Sequence, residues 1–358
     1  MNVAGRAGLA GAALLATAAG AAAGVAAERV LVGRPVRRRP GIGRLGLGQL
    51  RGDHVLVTAD DGVQLYVEVD EPRARGRWSD LTVVFVHGYA LNQDSFHFQR
   101  AALRGQARLV FYDHRSHGRS GRGPSSGATI GQLGRDLMAV LHAVAPDGPV
   151  VLVGHSMGGM TVMALAEEYP ALFGDRVVGA ALMSTTAGEL SEVTLGIPAA
   201  VTRMARRLAP TLVTVLGRNP MLVERGRQAS TDLAVLVARF YGFASEVPAE
   251  VVEFSLEMIN ATPLDVLADF YPSLDGHEAM DALGVLNQVE TLVLVGSQDL
   301  LTPPEHSRRM LRAVPGAELV ELDPGGHLVI LEHPDDVNGH LFDLFDRAAR
   351  LARSAAPA

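Results

Sequence analysis

The sequence predicts an α/β protein: an open, mostly parallel sheet with helices on both faces and a helical segment inserted late in the chain. Three observations carry this expectation. Short apolar runs recur at 81–86, 108–112, 150–153, 177–183, 291–295 and 318–322 without polar alternation. Such runs suit strands buried on both faces, as parallel strands are. Helix-length stretches such as 130–144 and 157–169 separate them. Residues able to do chemistry cluster just after the runs, where open α/β sheets bind their ligands.

Composition narrows the classes. The 358 residues are 48% hydrophobic and 20% charged, which excludes a wholly disordered chain. There is no cysteine, hence no disulfide, iron–sulfur cluster or cysteine nucleophile. All 32 basic residues are arginine, which removes Schiff-base chemistry and a Walker-type lysine. Residues 1–50 hold seven arginines against Glu28, so a formal net charge of −7 leaves −13 on the remainder. A body this acidic lacks the basic face that nucleic acid requires, so no nucleic-acid partner is expected.

From the amino terminus, residues 7–27 carry no charge and could cross a bilayer as a helix. The stretch is mostly Ala and Gly, and Leu9, Leu14, Leu15 and Val25 supply only about −2 kcal/mol on an insertion scale. Arg29, Arg34, Arg37, Arg38 and Arg39 follow it, whereas only Arg6 and the amino terminus precede it. The positive-inside rule then keeps the body on the cytoplasmic side, and an uncleaved anchor with membrane contact through 7–27 is expected. Export is the alternative, with Val25-Ala26-Ala27 as a small-residue cleavage site. Gly41-Ile42-Gly43-Arg44-Leu45-Gly46 fits G-x-G-x-x-G, but no strand precedes it, so residues 28–50 read as a tether.

The body opens with alternating segments at 54–60 and 63–69 around Asp61-Gly62, a β-hairpin signature. The parallel runs follow. About 100 residues then separate the strand ending near Met183 from the one beginning at Thr291, too many for a loop. They read as helices at 201–216, 230–241, 248–260 and 263–270. The expected organisation is a core of 51–188 and 289–350, with 189–288 inserted.

Gly154-His155-Ser156-Met157-Gly158-Gly159 follows the run at 150–153 and opens an apolar helix. A serine hydroxyl attacks only when it is exposed, near a base and faced by oxyanion donors. A tight strand-to-helix turn lifts Ser156 out of the sheet, and its flanking glycines avoid Cβ clashes. The helix beginning at Met157 aims its positive end at a developing oxyanion.

Together with His87-Gly88, Asp113-His114-Arg115-Ser116-His117-Gly118-Arg119-Ser120 and Gly326-His327, this motif resembles the α/β-hydrolase superfamily over residues 53–350. Ser116 departs from the glycine often found in that turn. The general base is expected at His327, freed by Gly325 and Gly326, in preference to His306 and His333, which read as surface residues. Asp299, just past the run at 291–295, has the position to orient His327, and the resemblance implies that role. An N-cap role is its alternative reading, and Asp323 the fallback acid. Met157 N–H supplies one oxyanion donor, and the resemblance places the other at Tyr89. His87 reads as structural, and the 113–120 turn as a scaffold whose cations could touch substrate.

An insertion at 189–288 resembles a helical cap in this superfamily. Phe240, Tyr241, Phe254, Met258 and Phe270 are candidates for an apolar pocket beneath it, although plain packing explains the same spacing. The expected activity is a serine hydrolase cleaving an ester or related acyl bond of an apolar small-molecule or lipid substrate. Perhydrolysis, carbon–carbon hydrolysis and amino-terminal peptidase action use the same triad. The last would draw on Glu246, Glu250 and Glu253. A non-catalytic ligand-binding protein is the reading from another class. No metal or organic cofactor is expected.

Overall fold

A computed structural model describes residues 46–73, 76–190, 193 and 238–355. The expected anchor at 7–27, residues 28–45 of the tether, and the inserted helices at 201–216 and 230–237 lie outside the described residues.

Eight strands form one sheet: β1 (Asp53–Thr58), β2 (Gln64–Asp70), β3 (Trp78–Val86), β4 (Ala107–Tyr112), β5 (Val150–His155), β6 (Val177–Met183), β7 (Glu290–Gly296) and β8 (Glu318–Leu322). Their order is β1-β2-β4-β3-β5-β6-β7-β8. The β1–β2 hairpin and the β2–β4 pair are antiparallel, and every later pair is parallel. The expected α/β class and hairpin are observed. β3 starts three residues earlier than its apolar run because Trp78 pairs with Ala107 across a register shift.

Helices cover both faces, which is why the strands show no polar alternation. On one face, α2 (Ile130–Val144) and α3 (Met157–Glu168) pack Leu137, Val140, Val162 and Leu165 against Val84, Val86, Leu152 and Leu182. On the other, α1 (His97–Leu103) and α8 (Pro334–Ala355) pack Leu103, Leu341, Leu344 and Phe345 against Val83, Phe85, Val151 and Val153. Neighbouring strand residues thus serve opposite faces, as the pleat requires. Thr129 caps α2 by accepting the Gln132 N–H at 3.1 Å, the usual device for an orphan donor at a helix start.

Between β6 and β7, the described part of the insertion contains α4 (Ala249–Ala261) and α5 (Leu264–Asp275). α5 continues past Phe270 through Pro272, burying Leu274. Beyond it, Ala279, Ala282, Leu283 and Leu286 join the core on the α2–α3 side of the sheet. α6 (Pro304–Ala313) and the short α7 (Val329–Glu332) complete the chain.

Residues 46–50, expected within the tether, are seated on the body. Leu47 packs on the α1–α8 core, and the Leu50 carbonyl accepts from Arg100 Nη1 at 3.2 Å. The Arg100 guanidinium is itself buried, held bidentately by Asp70 at 2.8 and 2.9 Å and by Glu68 at 2.7 Å. A buried guanidinium needs every donor satisfied, and the Leu50 carbonyl fills that requirement. Leu47 and Leu50 therefore belong to the packed body. No helix among the described residues is long and apolar enough to cross a membrane.

Candidate active site

The carboxyl end of β5 delivers Ser156 into a forced turn. Its backbone adopts φ 54° and ψ −120°, a left-handed conformation costly for a residue with a Cβ. The turn closes only because its neighbours lack side chains. A Cβ on Gly158 would lie 1.9 Å from the Val86 carbonyl oxygen, and one on Gly154 would lie 2.6 Å from the Gly158 oxygen. The Ser156 N–H donates to the Met183 carbonyl at 2.9 Å, and the Ser156 carbonyl accepts the Thr185 hydroxyl at 2.7 Å. The end of β6 and the residues just past it therefore hold both the N–H and the carbonyl of Ser156.

His327 lies on the loop after β8. Its Nε2 stands 3.0 Å from Ser156 Oγ, and its Nδ1 lies 2.9 Å from Asp299 Oδ2. The three residues expected from the sequence are thus joined in one hydrogen-bonded line. Asp299 follows β7 and is 2% exposed. Its Oδ1 accepts the Leu301 and Thr302 N–H groups, each at 2.9 Å, and its Oδ2 also accepts the Thr302 hydroxyl at 2.8 Å. Burial by itself would raise its pKa. The His327 charge and hydrogen bond, with the Thr302 donors, outweigh that and hold the carboxyl below its usual range. The alternative reading of Asp299 as a helix N-cap is not what the structure shows, because Pro303 precedes the helix that starts at Pro304. Asp299 Oδ1 instead closes the turn at Leu301 and Thr302, while Oδ2 holds the imidazole.

Met157 opens α3, so its N–H has no carbonyl one turn earlier to bond. On the opposite side runs the backbone of Gly88 and Tyr89. A Cβ on Gly88 would sit 3.2 Å from Ser156 Cβ and 2.9 Å from His155 Nδ1. The Tyr89 hydroxyl donates to the Leu267 carbonyl at 2.5 Å, tying this loop to α5.

Residues 82–334 match the family described as alpha/beta hydrolase fold. The chain belongs to that family. It is 27% identical over 267 residues to the putative carbamate hydrolase RutD of Klebsiella pneumoniae, covering 71% of this chain and 87% of the relative. A monoacylglycerol lipase of Mycolicibacterium smegmatis is 31% identical over 154 residues, 42% of this chain and 52% of the relative. The structure of a thermophilic esterase from Thermogutta terrifontis superposes with a TM-score of 0.63 at 25% identity, covering 83% of this chain and 99% of that one. An enol-lactonase from Burkholderia xenovorans shares the fold, with a TM-score of 0.62 at 23% identity over 82% of this chain and all of its own.

Other expected residues of the hydrolase fall as follows. His87 is buried; its Nε2 accepts the His114 N–H at 2.9 Å, and its ring lies 4.5 Å from that of His114, a structural placement. The arginines of the 113–120 turn are ion-paired. Arg115 is buried between Asp136, at 2.6 Å from both its Nε and Nη2, and Asp61, at 2.6 and 3.0 Å. Arg119 pairs with Asp94 at 3.0 Å. Burial and neighbouring imidazoles lower His114 to about 3, and burial lowers His117 to about 4, so both are neutral at pH 7. Ser116 takes φ 64°, the conformation for which glycine is the usual choice.

His306 and His333 are half-buried and hydrogen-bonded, not free surface residues. His306 Nδ1 lies 2.6 Å from Thr186 Oγ1, and His333 Nε2 donates to the Pro324 carbonyl at 2.5 Å. Of the pocket candidates, Phe254 and Met258 pack into the α1–α8 core. Phe270 joins Met157, Met160 and Val266 in a third cluster, against which Tyr89 packs. Tyr241 is buried and Phe240 exposed, their rings 5.0 Å apart. Among the described residues, no group of three or more acidic or histidine side chains is placed to hold a metal ion.

Three supporting residues escaped sequence reasoning. His155 is buried, and its Nε2 donates to the His327 carbonyl at 2.9 Å. Thr302 and Thr185 hold Asp299 and Ser156 as described. The spacing Asp299-x-x-Thr302 is the one available signal, a side chain satisfying N–H groups just downstream. Nothing local marks Thr185 or the reach of His155.

Proposed function

We propose that this hydrolase cleaves an ester or related acyl bond of an apolar small molecule through an acyl-enzyme. The observation that carries the reading is the unbroken line Ser156 Oγ, His327 Nε2, His327 Nδ1, Asp299 Oδ2, with links of 3.0 and 2.9 Å. In this reading Ser156 Oγ attacks the carbonyl carbon while His327 Nε2 takes its proton. Asp299 holds the imidazole tautomer and stabilises the imidazolium. The Tyr89 and Met157 N–H groups receive the oxyanion. His327 then protonates the leaving oxygen or nitrogen. Water, deprotonated by the same histidine, releases the acid and restores Ser156.

The activities in the relatives' names, a carbamate hydrolase, a lipase and an esterase, support acyl-bond cleavage. The apolar preference rests on Tyr89, Met157, Met160, Val266 and Phe270 beside the elbow, with residues 189–288 as a cap.

Labelling of the full chain with a fluorophosphonate, with Ser156→Ala as control, tests the nucleophile. Labelling abolished by the substitution is expected; a folded wild-type chain that resists the reagent would favour the ligand-binding reading. A p-nitrophenyl ester chain-length series, run beside a carbamate, then sizes the acyl site. Asp299→Asn should lower kcat on the order of 10⁴-fold, because the wrong histidine tautomer is favoured. Full activity in that variant removes Asp299 from the mechanism.

Attachment through residues 7–27 belongs to the same proposal and rests on the arginines at 29–39. The full chain should sediment with membranes, and a chain beginning at Gly46 should not.

A further inference from the structure

The loop that carries His327 is fastened to the middle of the insertion, at residues 242–245, by a residue outside the reacting line. Glu332 closes α7 with its side chain fully buried. One carboxylate oxygen, Oε1, accepts the N–H groups of Ala244 at 2.8 Å and Ser245 at 2.5 Å, both from the insertion. The other, Oε2, accepts the Gly326 N–H at 2.6 Å, directly before His327. A second fastening lies on the far side of the histidine, where the Leu328 N–H donates to the Gly242 carbonyl at 2.8 Å. The two segments touch so closely that a Cβ on Gly326 would lie 2.7 Å from the Gly242 oxygen and 2.8 Å from Phe243 Cα. Among the described residues, His333 adds a titratable group nearby, its Nε2 3.9 Å from Glu332 Oε1.

We propose that Glu332 is a positioning residue for His327, a carboxylate clasp that sets the base by locking its loop to residues 242–245 of the insertion. The proposal rests on His327 being the base, as argued above. An ionised carboxylate can accept all three N–H groups at once. A neutral amide cannot, since its NH2 end would face an N–H donor on one side. Glu332→Gln therefore keeps the shape and releases either the insertion or the histidine loop. A displacement of the base by less than an ångström costs rate, not substrate affinity.

The test compares Glu332→Gln, Glu332→Asp and Ser245→Pro in the full chain, with active sites counted by fluorophosphonate titration so that only folded protein is scored. Glu332→Gln should lower kcat per titrated site by about 10-fold to 100-fold, with KM within about twofold. The low-field proton resonance of the His327–Asp299 hydrogen bond should broaden or shift with it. Ser245→Pro removes one donor, leaves Glu332 in place and should lower kcat by a smaller factor. Glu332→Asp should fall between the two. Wild-type kcat with an undisturbed resonance in folded Glu332→Gln overturns the clasp. If that variant does not fold, the same result in Ser245→Pro overturns it. Failure of the parent reading is separate: it appears as retained activity in Ser156→Ala, whatever Glu332 does.

Discussion

The two ends of the parallel strands are built by opposite rules. Where the chain enters β4, β5 and β6, the left-handed turns fall on Gly105, Gly148 and Gly174, residues that take such angles without steric cost. Where it leaves β3, β4, β5 and β6, the left-handed residues include Ala90, Ser116, Ser156 and Ser184, with φ between 45° and 64°. Each Cβ in that conformation costs about 1–2 kcal/mol. The buried neutral histidines His87, His114, His117 and His155 gather at the same exit edge. One edge is relaxed and the other is held under load, and the loaded edge carries the hydrogen-bonded line of Ser156, His327 and Asp299. Backbone strain of this kind persists only where surrounding structure over-determines it.

The contrast breaks most sharply at Ser156. Ser156→Ala should lower kcat on the order of 10⁴-fold to 10⁶-fold, as removal of a serine nucleophile does. Ser156→Gly should be equally inactive, yet more stable than Ser156→Ala by about 1 kcal/mol, because it relieves φ 54°. Denaturant melts of the pair read this directly. Equal stability would mean that the elbow is not strained.

Acid is the next lever, and it acts on the exit edge. Burial first, then neighbouring imidazoles, lowers His114 and His155 to about 3, while burial lowers His117 to about 4 and His87 falls well below 6.5. These groups are neutral when folded and take up protons near pH 6.5 when unfolded. Their contribution is therefore complete above pH 6.5 and is lost as pH falls toward 4. Asp113, raised to about 6 by burial, works the other way and offsets one of them. Each net proton changes stability by about 1.4 kcal/mol per pH unit. Urea midpoints should fall steeply between pH 6.5 and 4.5. A flat profile there would mean that the imidazoles are charged or solvated when folded.

Glycine substitutions compare the edges more gently. Gly158→Ala drives a Cβ to 1.9 Å from the Val86 oxygen and should cost about 3 kcal/mol. Gly148→Ala meets nothing within 4 Å, so only its φ of 78° counts, at about 1 kcal/mol. Comparable losses would erase the distinction between a turn that needs close approach and one that needs only an angle.

How much was legible follows from where each constraint lives. The parallel strands were readable because burial on both faces leaves an uninterrupted apolar run. Ser156 was readable because its turn writes glycines into adjacent positions. The seat of residues 46–50 was not, since it depends on an Arg100 donor far along the chain. The clasp of Glu332 was invisible for the same reason, its two partners in the insertion lying 88 and 87 residues away. Aromatic spacing in α4 and α5 could not separate pocket from packing. Phe254 and Phe270 repeat at intervals that serve either, and only the fold puts them in different clusters.

The smallest expected effect falls on Ser184, at φ 45° just past β6. It is fully buried, and its hydroxyl finds no hydrogen-bond partner among the described residues. Glycine there would remove about 1–2 kcal/mol of left-handed strain and an unsatisfied hydroxyl. Against that stand the lost Cβ packing and about 0.5–1 kcal/mol of backbone entropy. The balance is a stabilisation of about 1 kcal/mol. Ser184 nevertheless separates Met183, whose carbonyl holds the Ser156 N–H, from Thr185, whose hydroxyl holds the Ser156 carbonyl. A slacker residue between them should loosen the elbow, so Ser184→Gly should gain stability and lose a few-fold in kcat together. Such opposed changes are what a strained site exhibits when it is relaxed. A gain in stability with unchanged kcat would place the load at Ser156 alone; a loss of stability would mean that Ser184 is held in its conformation without strain.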